Sequence, residues 1–295
     1  MSARRTLAVE FVLLAAIWGA SFLFMRIAVP QFGPAPSMWL RCSIGALTLT
    51  PLLIFGHGVG QLRSLGARAV MLGLFNSALP FLLFGFAALR LPAGVLSVLN
   101  ATAPFWAAIV AFVWLNDRLA ARQTAGLLLG FAGVVILVLG MPNRGSTTLP
   151  DGALVGVMIA LAATLCYGIA ANYTRRRLSD VDPRINAVGS QWAAAAWLTA
   201  PGLWQWPTAW PDSRAWMALI VLGVLCTGLA YLLFFRLIHG LGPARAITVT
   251  YLIPAFGMFW GALFLSETIT PTMVTGAVVI VAGTALTSAP RRRPT

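Results

Sequence analysis

Leu72-Gly73-Leu74-Phe75-Asn76-Ser77-Ala78-Leu79-Pro80-Phe81-Leu82-Leu83-Phe84 and Leu222-Gly223-Val224-Leu225-Cys226-Thr227-Gly228-Leu229-Ala230-Tyr231-Leu232-Leu233-Phe234 share one frame, 150 residues apart. Leu72-Gly73 falls on Leu222-Gly223, Leu79 on Leu229, and Leu82-Leu83-Phe84 on Leu232-Leu233-Phe234. Outward from these segments, Pro104 falls on Pro254, Leu115 on Leu265, Gly126 on Gly276 and Ala132-Gly133 on Ala282-Gly283. The acidic residues Asp117 and Glu267 coincide as well. At a spacing of 149, Trp18-Gly19 faces Tyr167-Gly168 and Arg26 faces Arg175. Leu and Ala matches come cheaply in apolar sequence, but Pro, Gly and carboxylate matches at one spacing do not. The chain reads as one apolar unit written twice.

The solvent of that unit follows from composition. Charged residues make up 9% of the 295, and hydrophobic residues 59%. A soluble domain carries about 25% charged residues. A bilayer core about 30 Å thick needs ~20 mostly apolar helical residues to cross it. Ten segments meet that length: 7–28, 36–55, 69–89, 93–115, 123–141, 150–173, 185–203, 215–238, 244–265 and 271–289. Pro34 and Pro36, Gly66, Pro92 with Gly94, Pro142-Asn143-Arg144-Gly145 and Gly240-Leu241-Gly242-Pro243 punctuate them. Thr270 before Pro271 predicts an N-cap with proline in the first turn. The 185–203 span is the weakest, through Gln191 and its Ala-rich middle. The expected fold is an all-α polytopic membrane protein. Residues 1–143 form one five-helix repeat, 144–290 a second, and 291–295 a basic tail. Five is odd, so the second copy enters the membrane from the opposite side, an inverted-topology repeat.

All twenty basic residues are Arg, and the formal net charge is +13. Nucleic-acid binders gather such charge on one polar face; here the Arg residues punctuate apolar runs. With a cytoplasmic N-terminus, fifteen fall inside and five (Arg26, Arg41, Arg90, Arg144 and Arg214) outside. That bias agrees with the positive-inside rule and requires an even number of spans. Arg4 and Arg5 before an apolar run imitate a signal peptide, but the run to Ala28 is long and holds Trp18, so it reads as a retained first helix. Cys42, Cys166 and Cys226 sit singly in apolar stretches and make neither a disulfide framework nor a metal site. Trp204, Trp206 and Trp210 read as an interfacial belt.

Candidate site residues are the uncharged polar and aromatic groups at mid-depth. Trp18, Ser21, Phe22 and Met25 share one helical face. Asn76 pairs with Pro80, Asn100 with Pro104, Thr227 with Tyr231, and Tyr251 with Pro254, while Tyr167 lies mid-span. Proline withholds an N–H and frees a carbonyl for a ligand. The competing reading makes the same groups interhelical bonds and core packing. Arg26, Arg41 and Arg236 stand near span ends within snorkelling reach, which leaves no cation at depth for a phosphorylated cargo. Glu10 is either a proton-coupling carboxylate or a residue favoured by the helix's N-terminal dipole. Gly126 and Gly130, with Gly133 beyond, offer a dimer face or close packing within one chain. No cofactor or metal site is expected, and an intramembrane enzyme is disfavoured because HExxH and GxSxG are absent and His57 and His239 lie at span ends. A channel is the other rival, disfavoured by the repeat.

Trp18-Gly19-Ala20-Ser21-Phe22, Asn100-Ala101-Thr102-Ala103-Pro104, Tyr251-Leu252-Ile253-Pro254 and Leu265-Ser266-Glu267 resemble the EamA-type members of the drug/metabolite transporter superfamily. The resemblance spans about residues 5–289 and is similar, within that group, to the YddG-type exporters of amino acids. It implies ten helices, cytoplasmic termini, the bacterial inner membrane, a monomer, and export of metabolites such as aromatic amino acids and methionine; a multidrug or other metabolite exporter is the alternative. Asp117 beside Asn116 departs from the family's Glu.

Overall fold

The computed structural model describes residues 3–55, 59–141 and 151–288. His57, the Pro142–Gly145 turn with Arg144, and the basic tail 291–295 lie outside them, as do the side chains of Arg4 and Arg63. The first half comprises α1 (Ala3–Phe32), α2 (Pro34–Phe55), α3 (Val59–Leu65), α4 (Ala67–Gly73), α5 (Leu79–Ala88), α6 (Ala93–Asn100), α7 (Ala103–Leu115) and α8 (Ala121–Leu139). The second comprises α9 (Ala153–Arg177), α10 (Pro183–Trp204), α11 (Ser213–Gly223), α12 (Ala230–Leu241), α13 (Pro243–Ala246), α14 (Ile253–Leu265) and α15 (Pro271–Ser288). Among the described residues there is no strand.

Among the described residues, eight stretches are long and apolar enough to cross a bilayer. Of the ten expected, Ile253–Leu265 is apolar but short, at 13 residues. Pro183–Trp204 has the length, 22 residues, but not the hydropathy, as its Gln191 and alanines foretold.

Four spans expected as continuous helices are interrupted within their length, at equivalent places in the two halves. A π turn, Leu74–Ala78, joins α4 to α5, and another, Val224–Leu229, joins α11 to α12. In the first, Pro80 offers no N–H to the carbonyl four residues back, and a widened turn relieves the clash. In the second there is no proline; Thr227 Oγ1 instead donates to the Leu222 carbonyl at 3.0 Å. A tight turn at Ala101–Thr102 separates α6 from α7, and the 3₁₀ segment Ile247–Tyr251 precedes α14. Pro104 and Pro254 stand in the first turn after each break.

The ends match too. Asn116 and Ser266 close α7 and α14 in the left-handed conformation, both at φ 54°. Thr270 caps α15 as expected, its Oγ1 accepting from Met273 N at 3.1 Å. Asp212 caps α11 and also accepts from Gln31; that hydrogen bond, with the Ala215 N–H, holds its carboxyl below the usual range.

Contacts between the halves are reciprocal. α8 lies along α15, and a Cβ built on Gly126 would come 2.7 Å from the Gly283 carbonyl, while one on Gly276 would come 2.9 Å from that of Gly133. The Gly126/Gly133 face is therefore spent inside the chain, which decides between the two readings of the glycine pattern. Likewise Gly19 abuts Phe256 and Gly257, while Gly168 abuts Trp106 and Ala107. The two pairs thus exchange equivalent positions between the halves.

Candidate functional site

The candidate residues fall on α1, α9 and the interrupted segments. Contacts link some of these elements: α1 to α5 and α9 through aromatic rings, and α1 to α12 through Trp18. Ser21, Phe22 and Met25 are buried on α1, and Trp18 is half-buried with its ring 5.3 Å from Phe234 of α12. Phe22 meets Phe84 edge-on at 5.7 Å, and Phe84 stacks on Tyr167 at 6.3 Å, linking α1, α5 and α9. Ser21 is buried beside the Cys226 thiol of the second π turn.

The polar groups form a second line. Asn76 Nδ2 and Gln191 Nε2 reach Ser77 Oγ at 3.4 and 3.2 Å, and the Tyr231 hydroxyl lies beside Asn76 and Gln191. Tyr231 also belongs to a satellite apolar cluster around Leu49, Leu53 and Leu72, and stacks on Phe235 at 5.9 Å. Pro80 and Pro254 are buried, and Pro104 is half-buried. Asn100 and Tyr251 are half-buried and make no side-chain hydrogen bond among the described residues. At the Asn100 break, the Ala101 carbonyl accepts from Thr284 at 2.8 Å, and Thr102 meets Thr164 of α9 at 3.1 Å.

One expectation is overturned. Arg41 does not snorkel: it is 7% exposed, seven residues into α2, or ~10 Å along the axis at 1.5 Å per residue. Its side chain turns inward, with Cζ 3.7 Å above the Phe81 ring, because α2 presents that face to α5 and to the Thr227 turn. Nε donates to Thr227 Oγ1 at 3.1 Å, and one Nη reaches Met25 Sδ at 3.8 Å. A cation at depth is thus available after all. Thr227, expected to line the interior, serves as its acceptor. Arg26 and Arg236 do not merely snorkel either; both are paired with carboxylates.

Four ion pairs occur among the described residues, and two are related by the repeat. Glu267 meets Arg26 Nε at 3.6 Å and accepts from Ala93 N and Gly94 N at 2.8 and 3.3 Å. The second half thereby caps α6 of the first, where Pro92 offers no side-chain cap. Asp117 meets Arg175 at 2.6 Å. The Glu267 pair is shielded, 31% and 11% exposed for Arg26 and Glu267, whereas Arg175 and Asp117 are 62% and 32% exposed. Packing shows the same asymmetry: α6 lies along α14, but α13, its counterpart, packs on α12 and the 3₁₀ segment. Glu10 is buried and paired with Arg236 at 2.5 Å.

Sequence reasoning missed Arg41, Gln191 and Ser77 as interior groups. Their position within the spans was visible in the sequence, but which way each side chain turns was not. No cluster of metal-ligating residues is found among the described residues.

Comparison with known proteins bears on this arrangement. Residues 6–139 and 154–289 each match the model of the EamA-like transporter family. The uncharacterized transporter YoaV of Bacillus subtilis is 25% identical over 275 residues, covering 90% of this chain and 91% of its own. A probable amino-acid metabolite efflux pump of Salmonella typhimurium is 25% identical, covering 92% and 91%. A probable terminal-alkyne amino-acid exporter of Streptantibioticus cattleyicolor is 22% identical, covering 93% and 91%. A crystal structure 20% identical superposes with a TM-score of 0.65 over 96% of both chains, a likeness of fold.

Proposed function

The chain belongs to the EamA-like transporter family, and from that premise we propose that this membrane transporter exports small amphiphilic metabolites, amino acids such as aromatic ones and methionine first among them, by alternating access. The observation that carries the reading is the pair of exchanged contacts that differ in closure. Arg26–Glu267 is shielded and sealed by α6 on α14, while Arg175–Asp117 is open. A two-fold molecule whose halves trade these two conditions opens to one side and then the other. The interior suits such cargo: Phe22, Phe84, Tyr167 and Trp18 offer apolar rings, and Asn76, Asn100, Tyr231 and Tyr251 offer neutral hydrogen-bonding groups. The names of the Salmonella and Streptantibioticus relatives point the same way.

The proposed arrangement is two inverted five-helix repeats, 1–143 and 144–290, in a ten-span monomer of the bacterial inner membrane with both termini cytoplasmic. Single cysteines at 120, 179 and 212, all exposed positions, test it. Membrane-impermeant label applied to intact cells should reach 212 and spare 120 and 179; labelling of 179 from outside refutes the inversion.

The functional test is flux into proteoliposomes. Uptake of labelled phenylalanine or methionine should saturate, and unlabelled amino acid on the opposite side should accelerate it several-fold, which a channel does not do. Because Glu10 is engaged by Arg236, an imposed pH gradient should leave the final ratio unchanged. Concentrative uptake abolished by Glu10→Gln would make Glu10 a coupling residue. Protein that moves a cationic drug or a sugar but no amino acid would overturn the cargo and keep the transporter.

A further inference from the structure

The geometry points to Arg41 as the group that receives the carboxylate of the cargo, an inference that rests on the transporter reading above and narrows its substrate class to amphiphiles bearing one carboxylate.

The chain has seven carboxylates, and the ion pairs formed by them among the described residues engage Arg26, Arg175, Arg184 and Arg236. Arg41 has no such partner, yet is 7% exposed. A guanidinium stays protonated in proteins, and an ionised group away from water is stable only when paired or hydrogen-bonded. Its neighbours hold it without neutralising it. Thr227 Oγ1 accepts from Nε at 3.1 Å while donating its own proton to Leu222 O, Met25 offers a weak sulfur acceptor at 3.8 Å, and the Phe81 face lies at 3.7 Å. The guanidinium has five N–H groups; three meet no acceptor among the described residues. They are not among the buried polar atoms that lack both partner and access. What remains is a planar fork of donors, oriented and charged, whose geometric complement is a carboxylate bound through two oxygens.

The surroundings set the rest of the ligand. Tyr167 and Tyr231, from α9 and α12, lie within electrostatic reach of Arg41. Phe22, Phe84 and Tyr167, in ring contact with one another, pack in the same apolar cluster as Met25. A single cation against rings suits a monoanionic head on an apolar body; a dianionic phosphate would ask for a second cation.

The rival role for Arg41 is purely structural, tying α2 to the Thr227 turn, and the test separates the two. In proteoliposomes, unlabelled phenylalanine should compete with labelled phenylalanine at a concentration at least ~10-fold below that of phenylalaninamide. Arg41→Gln should erase that difference, whereas Thr227→Val, which removes the tie but keeps the charge, should preserve it. Equal competition by acid and amide in the wild type, or a difference that survives in Arg41→Gln, overturns the inference. A second measurement needs no variant and no transport. Phenylglyoxal modification of Arg41 in the purified protein, followed by mass spectrometry of the peptide, should be slowed by 3-phenylpropionate and not by its amide. Absence of protection by the acid overturns the inference; protection in a protein that moves no amino acid leaves Arg41 as an anion site and refutes the amino-acid cargo instead.

Discussion

Glu267→Ala is expected to open the Arg26 end of the molecule and to slow exchange at least ~10-fold. The carboxylate does three things at once: it meets Arg26, accepts from Ala93 N, and accepts from Gly94 N. Hydrogen bonds to a charged group are worth about 1.5–3 kcal/mol each, and about 1.4 kcal/mol shifts a two-state equilibrium tenfold. These bonds join α6 of one half to the turn after α14 in the other, so under the alternating access proposed above they hold only while that end is shut. Ser97, fully buried between α6 and α14, reports on the seal: its Oγ donates to Gly94 O at 2.7 Å and lies 3.5 Å from Pro254 O. In a background lacking Cys42, Cys166 and Cys226, Ser97→Cys should react with a membrane-impermeant thiol reagent at least ~10-fold faster when Glu267 is Ala. Glu267→Gln retains one acceptor oxygen and should fall between. Asp117→Ala should change the rate less than ~3-fold, because a half-exposed pair such as Asp117–Arg175 is worth about 0–1 kcal/mol. Unchanged labelling in Glu267→Ala would show that the carboxylate caps a helix and gates nothing.

How much of this was legible in the sequence follows from which constraints act locally. The bilayer fixes helix length and apolarity, so the long spans, the Thr270 cap and the duplication could be read directly. The breaks within the spans were half legible. Pro104 and Pro254 announced theirs, and Pro80 gave a reason for the first π turn, but the turn at Val224–Leu229 contains no proline and rests on the Thr227 side chain bonding five residues back. Arg41 was misjudged because distance from a span's start says nothing about which way the side chain turns. Snorkelling requires the face that points to lipid, and α2 gives Arg41 the face that meets Phe81 and Thr227. Glu267 stood out in the sequence by its match with Asp117 and by the Leu265-Ser266-Glu267 segment, neither of which names its partners. Its cap on Ala93 and Gly94 spans 174 residues of sequence, a contact that no local pattern encodes.

Asn100→Ala and Phe105→Ala, five residues apart around the α6–α7 break, are expected to separate cargo contact from packing. Phe105 is fully buried, lies 5.9 Å from the Phe131 ring, and fills the space that a Cβ on Gly130 would occupy. Truncating such a ring costs about 3–5 kcal/mol through lost burial and the cavity left behind. Phe105→Ala should therefore cut the yield of monodisperse protein in detergent and lower its melting temperature, with flux falling in step. Asn100 is half-buried and makes no side-chain hydrogen bond among the described residues. The backbone beside it is already anchored, since Thr102 meets Thr164 and the Ala101 carbonyl accepts from Thr284. Removing its amide should change stability by no more than ~0.5 kcal/mol, the usual range for a substitution away from packing. If Asn100 contacts cargo, the same change leaves a polar group of the ligand unpaired, worth about 1–3 kcal/mol, or roughly tenfold in phenylalanine flux. Flux loss in Asn100→Ala at unchanged melting temperature is the expected result. Loss in proportion to folded protein, or no loss at all, would remove Asn100 from the cargo path and leave the break at Ala101–Thr102 as a hinge between α6 and α7.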